Sequence, residues 1–324
     1  TGEKSKTLTI SGLPVDKSYQ YHIYVQCSNG YNCYSEPFTV TQHQHSWTYT
    51  ASGATITAKC SKCSASGGSV TIAPPAELTY SGEGKPATVT ASSDWQGPAA
   101  SGITISYIKT GTYGQQMLEN GALPTDAGEY TASITVGEGG KAVTASVKYT
   151  IQRADPKASD FTFAAPSPLT YDGNAKTATV EPNTGINGMG AVTVKYFKNG
   201  AETEPKVAGD YTVKVSVAEG ANYNATTDDL TTDGWKFTIG KATQTITVPT
   251  DKTIVKDGIA EDISDWATVA GVTGGSNPGT LSYALDGQAL EGVSLTGNQL
   301  TVQPTCTAAQ FTIKVTAVET GNYN

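Results

Sequence analysis

The chain is written in short runs of alternating apolar and polar residues. In YTVKVSV, Tyr211, Val213, Val215 and Val217 share one parity, and Thr212, Lys214 and Ser216 share the other. That is the period of a strand with one buried face. YTASITV at 130–136 and TIKVTA at 312–317 alternate in the same way. Glycine-containing breaks between the runs predict turns. Several such strands within roughly 80 residues predict sandwiches of two packed sheets, and hence an all-β protein.

The runs recur in order. LTYSGEGKPATV at 78–89 is echoed by LTYDGNAKTATV at 169–180, ISYIKTG at 105–111 by VKYFKNG at 194–200, and DAGEYTASITV at 126–136 by VAGDYTVKVSV at 207–217. A looser third unit has LSYALDG at 281–287, FTIKVTAV at 311–318 and the ending ETGNYN, which parallels EGANYN at 219–224. The chain is therefore divided into 1–73, 74–153, 154–241 and 242–324, with short connections such as QRADP at 152–156 and GKAT at 240–243. Tyr130 and Tyr211 each follow a tight glycine turn at the start of a strand. In a sandwich such a tyrosine either locks the corner through its hydroxyl or is an ordinary core residue.

The LTYDG and LTYSG openings, the AGEY and AGDY turns and the NYN endings resemble the bacterial immunoglobulin-like repeats of the MBG or YDG type, closely over 78–242 and loosely over 243–324. The resemblance implies tandem immunoglobulin-like β-sandwiches in an elongated array, of the kind found in secreted and wall-attached surface proteins of Gram-positive bacteria. The segment LTISGLPVDKSYQYHIYVQCSNGYNCYSEPFTV at 8–40 resembles the last three strands of a fibronectin type III module, with Leu13, Pro14 and Tyr19 in that family's Leu, Pro and Tyr places. Both ends read as cut from a longer modular protein, so 1–73 is expected to hold partial fibronectin-like strands plus a hairpin. An extracellular or cell-surface location follows from the same reading.

Composition narrows the function. With 324 residues, 15% charged and 37% apolar, the chain has room for two to four domains. A net charge of -8 and no cluster of Lys and Arg argue against nucleic-acid binding. No apolar run approaches membrane-spanning length, so no membrane insertion is expected and the protein reads as a monomer. All three histidines precede residue 46, and no G-x-S-x-G elbow or paired-histidine protease motif occurs, so no enzyme is expected. The acidic segments at 257–265 and 228–234 lack the spacing of a calcium loop and read as solvated faces. A spacer or stalk presenting other domains is the first reading. The alternative is an adhesin or glycan-binding module that uses Trp95 and Tyr113, aromatic residues in polar, turn-rich segments, against a protein or glycan ligand. Trp235 and Trp266 sit beside apolar runs and read as core.

The densest chemistry is in HQHSWTYTASGATITAKCSKC at 43–63. A hairpin turning at Ser52-Gly53 sets Ala51 opposite Ala54, Tyr49 opposite Ile56, Trp47 opposite Ala58 and His45 opposite Cys60, with His43 one step further on the same face. His43, His45, Cys60 and Cys63 then meet at one end, with the ligand types and spacing of a structural zinc site. The alternatives are a tight disulfide, free thiols and ordinary surface histidines. Cys27 and Cys33, in CSNGYNC, are expected to form a disulfide across a loop, with reduced thiols as the alternative. Cys306 is left without a partner and reads as a buried apolar residue.

Overall fold

The computed structural model describes residues 10, 12–14, 17–26, 30–111 and 114–324. Among them there is no α-helix, only strands, turns and three short 3-10 segments. The chain divides into two compact units, Thr1–Gln152 and Arg153–Asn324. No helix among the described residues is long and apolar enough to cross a membrane.

In the first unit, β1 (Lys17–Tyr21), β2 (Tyr24–Gln26), β3 (Asn32–Tyr34) and β4 (Phe38–Gln42) form two small antiparallel pairs, β1 with β4 and β2 with β3. Every described residue of β2 and β3 is exposed. Next, β5 (Trp47–Ser52), β6 (Thr55–Cys60), β7 (Ser66–Ala73) and β8 (Thr88–Ala91) make a four-stranded antiparallel sheet in sequence order. That sheet continues past residue 73, because β7 pairs with β8 from Val70↔Ala91 to Ala73↔Thr88. A second sheet, in the order β10-β9-β11-β12, is built from β9 (Ile105–Gly111), β10 (Gly114–Met117), β11 (Gly128–Val136) and β12 (Val143–Ile151). β5, β6 and β7 contact β12 across the two sheets. Ile56, Val70 and Ile72 of one sheet and Ala132, Ile134 and Ile151 of the other are buried. Each large aliphatic side chain removed from water this way contributes about 1.5–3 kcal/mol.

In the second unit, β13 (Phe161–Ala164) pairs with β14 (Thr179–Pro182). β15 (Val192–Lys198), β16 (Ala201–Glu202), β17 (Gly209–Val217) and β18 (Lys236–Ile239) form a sheet in the order β16-β15-β17-β18, which repeats the order β10-β9-β11-β12. The alternating positions Tyr211, Val213, Val215 and Val217 are all buried, in one cluster with Phe161, Trp235 and Phe237. The rest of the unit comprises β19 (Thr245–Thr247), β20 (Ala260–Asp262), β21 (Thr268–Ala270), β22 (Leu281–Asp286), β23 (Val293–Thr296), β24 (Gln299–Val302) and β25 (Thr312–Ala317). β19 pairs with β21 and β22 with β25, and β20-β24-β23 form a three-stranded sheet. Ile263, Leu300, Val302 and Cys306 are the buried cluster here, with Trp266 packed against it.

The repeated tyrosines make repeated bonds. Tyr130 donates its hydroxyl to Asp126 O at 2.9 Å, and Tyr211 donates to Val207 O at 2.9 Å, so both lock the turn four residues upstream. Tyr107 and Tyr196 accept the backbone N–H of Ala87 and Ala178 at 2.9 Å. Burial raises the pKa of all four and keeps their hydroxyls protonated.

Candidate metal centre

Two turns bring the Cys/His residues together. β5 and β6 are joined at Gly53-Ala54, with Gly53 at φ 56°. β6 and β7 are joined through Ser61–Ser64, where Ser64 N–H donates to Cys60 O at 3.0 Å, Cys60 N–H donates to Ala65 O at 2.9 Å, and Ser64 takes φ 61°. This second turn folds Cys63 back toward Cys60. Ser61 N–H donates to Ser46 O at 2.9 Å, which ties the turn to the segment carrying the histidines.

The first turn differs from the expected one. The observed register pairs Trp47 with Cys60, Tyr49 with Ala58 and Ala51 with Ile56, so His45 is not opposite Cys60 and the pairing has slipped by two residues. The reason is backbone chemistry. A two-residue hairpin loop of the primed type needs φ > 0 at its first central position. The expected loop put Ser52 there, whereas the observed one puts Gly53 there. A slip of two preserves the face of every side chain. Ile56, Ala58 and Cys60 are therefore still buried, while Thr48, Thr50, Thr57 and Lys59 are exposed.

The slip carries both histidines past the end of β6, onto the Cys60–Cys63 turn. His43 Nε2 lies 3.6 Å from Cys60 Sγ, and His45 Nδ1 lies 3.6 Å from Cys63 Sγ. One ligand atom from each of the four residues falls within 4.8 Å of all the others, close enough to bind a metal ion. Tetrahedral zinc, with Zn–S of about 2.3 Å and Zn–N of about 2.0–2.1 Å, holds sulfur and nitrogen about 3.6 Å apart. Cys60 is buried, His43 is half-buried, and His45 and Cys63 are exposed, so the set sits at the rim of the sheet. Burial works to raise the Cys60 thiol, but it is outweighed by the His45 side chain and by backbone hydrogen bonds at Lys62, Cys63 and Ser46. The net pKa falls from 9.0 to about 5. A thiolate at neutral pH is the form that ligates a metal.

Trp47 is the neighbour that the sequence reading did not assign to the site. Its ring stacks on His45, with centroids 5.0 Å apart and planes at 22°. Gly67 of β7 makes room for it, since a methyl group there would run into the indole. The usable signal was the shared parity of His43, His45 and Trp47.

The other expected residues lie elsewhere. Trp95 is half-buried, 5.7 Å from the Tyr49 ring, and donates its indole N–H to Pro98 O at 2.9 Å. Tyr113 lies outside the described residues, as does Cys27, so the expected Cys27–Cys33 disulfide does too. Cys33 is exposed on β3, opposite Val25. Cys306 is buried as expected, and Trp235 is in the core.

No protein-family model matches the chain, and no curated protein matches it.

Proposed function

We propose that the chain is a non-catalytic spacer or stalk from a secreted or cell-surface modular protein, made of tandem immunoglobulin-like β-sandwiches. We further propose that His43, His45, Cys60 and Cys63 hold a structural zinc ion that staples its first sheet. The spacer reading rests on one observation. The same scaffold recurs with its buried hydroxyls bonded to its own backbone, Tyr130 to Asp126 and Tyr211 to Val207. Repetition of one scaffold adds length, whereas a reactive site is made once. Small-angle scattering tests the reading. A radius of gyration near about 20 Å, the value for one globule of this length, would overturn it.

The zinc reading rests on the two 3.6 Å sulfur–nitrogen distances, which match tetrahedral zinc. Four protein ligands leave no open position for substrate, so the role that follows is structural. Bound zinc contributes folding free energy directly, which suits a hairpin with one buried face. Elemental analysis of protein purified without added metal, beside Cys60→Ser, tests it. About one equivalent in the parent and a clear loss in the variant are expected. Less than half an equivalent in the parent, or equal zinc in both, rejects the staple.

A further inference from the structure

We infer that the Asn-Tyr-Asn segment at 322–324 is an inter-module plug, by which the third repeat closes the core of the second so that the two fold as one cooperative block. Tyr323 is fully buried, yet it belongs to the cluster of Tyr171, Tyr211 and Phe237 and not to that of Ile263 and Leu300 in its own repeat. Its ring meets Tyr171 edge-on, with centroids 5.4 Å apart and planes at 84°. The socket is built from both sides. Ala208 of the second repeat donates its N–H to Asn322 Oδ1 at 3.0 Å, and Ser276 of the third donates its N–H to the Tyr171 hydroxyl at 3.1 Å. Gly271 and Gly275 leave the space the tyrosine fills, since a methyl group at either would collide with its hydroxyl.

Backbone recognition fixes the plug in register. Ala242, in the connection between the repeats, donates its N–H to Asn322 O and accepts the N–H of Asn324, both at 2.9 Å. Two residues earlier, Gly240 is bonded to Leu169 and Tyr171 of the second repeat. Lys241, between them, pairs with Glu319 at 3.1 Å. The connection thus has almost no free chain. The plug is also a portable element. Asn222 and Asn224 make the same pair of backbone bonds to Ala154, Arg153 pairs with Glu219 at 3.1 Å, and Tyr223 is buried. In both copies the segment closes on itself the same way, Gly220 N–H to Tyr223 O at 3.0 Å and Thr320 N–H to Tyr323 O at 3.1 Å.

The Tyr323 hydroxyl is buried with no hydrogen-bond partner among the described residues, so the socket reads the ring and not its oxygen. That gives the test its control. Hydrogen–deuterium exchange is measured on the full chain and on Tyr323→Ala, Asn322→Ala and Tyr323→Phe. Tyr323→Ala is expected to speed exchange at least tenfold in the second repeat around Tyr171, Ala208 and Gly240. Asn322→Ala should do so chiefly at Ala208, and Tyr323→Phe should leave the second repeat as protected as before. Faster exchange in Tyr323→Ala confined to the third repeat, around Leu300 and Val302 or the last five residues, would overturn the plug. So would a Tyr323→Phe chain as loosened as Tyr323→Ala.

Discussion

In the hairpin formed by β5 and β6, only Ile56, Ala58 and Cys60 are fully buried, and its aromatic residues Trp47 and Tyr49 remain half-exposed. In the second repeat, Tyr211, Trp235, Phe237, Val213 and Val215 lie in one closed cluster, with rings stacked at 5.5 Å between Tyr211 and Phe237. The first region sets two sulfurs and two imidazoles together at its rim, and the second closes around apolar volume. Reagents that act on ligands should therefore disturb the hairpin alone, and cavity mutations should disturb the repeat far more.

The largest expected effect is removal of the proposed zinc. Structural zinc contributes on the order of 10 kcal/mol in small zinc-folded peptides, and a part of that is at stake here. Chelation of the metal-loaded chain should abolish slow exchange across residues 47–60 while residues 209–217 keep theirs. Equal loss in both regions would erase the distinction. Acid probes the metal-free hairpin separately. The fold lowers the Cys60 pKa from 9.0 to about 5, so the folded state favours the thiolate. The stability this contributes is complete above about pH 9 and is lost as pH falls toward 5. The denaturation midpoint followed at the Trp47 indole should fall over that window. A flat midpoint would count against a stabilised thiolate.

Next in size is Trp235→Ala. Trp235 is buried between Phe161, edge-on at 6.2 Å, and Phe163, stacked at 6.4 Å. A large-to-small change in such a core costs about 3–5 kcal/mol. Urea denaturation should show that loss in the second repeat with zinc binding unchanged.

Tyr211→Phe removes one hydroxyl and little volume. It takes away the donor to Val207 O, an effect of about 0.5–1.5 kcal/mol. Tyr130→Phe should match it, because Asp126 O accepts in the same place. A tyrosine that is merely core, the alternative left open by the sequence, would tolerate the change with no loss in denaturation midpoint.

These cases also show what could be read from the chain. Strand parity was legible because period two is local, so the buried set Tyr211 to Val217 and the common face of Cys60 and Trp47 follow from spacing alone. That His43, His45, Cys60 and Cys63 come together was legible from that parity and from the Cys-x-x-Cys turn. Hairpin register was not, because it depends on which loop residue takes φ > 0, and a slip of two leaves every parity intact. Nor could spacing show that β8, beyond the LTY motif, completes the hairpin's sheet, or that Tyr323 packs beside Tyr171. Both are pairings between distant segments with no local period to announce them.

The last prediction bears on that register. Gly53 occupies φ 56°, and among the described residues nothing lies within 4 Å of where its side chain would be, so Gly53→Ala meets only backbone strain. A non-glycine residue in the left-handed region costs about 1–2 kcal/mol. Ala54→Gly, at the second loop position, relieves no strain and should cost less, about 0.4–1 kcal/mol, through unfolded-chain entropy. These variants, with Ser52→Gly, separate the registers. If Gly53 holds the first position, Gly53→Ala should lower hairpin protection about fivefold or more and Ala54→Gly should lower it by less. If the turn were at Ser52-Gly53, Ser52 would carry the strain, and Ser52→Gly would strengthen the hairpin. Nuclear Overhauser contacts between the Trp47 and Cys60 backbones would read the pairing directly in each variant. Zinc content should stay the same in Gly53→Ala, because the ligands lie at the far end of the strands from the turn.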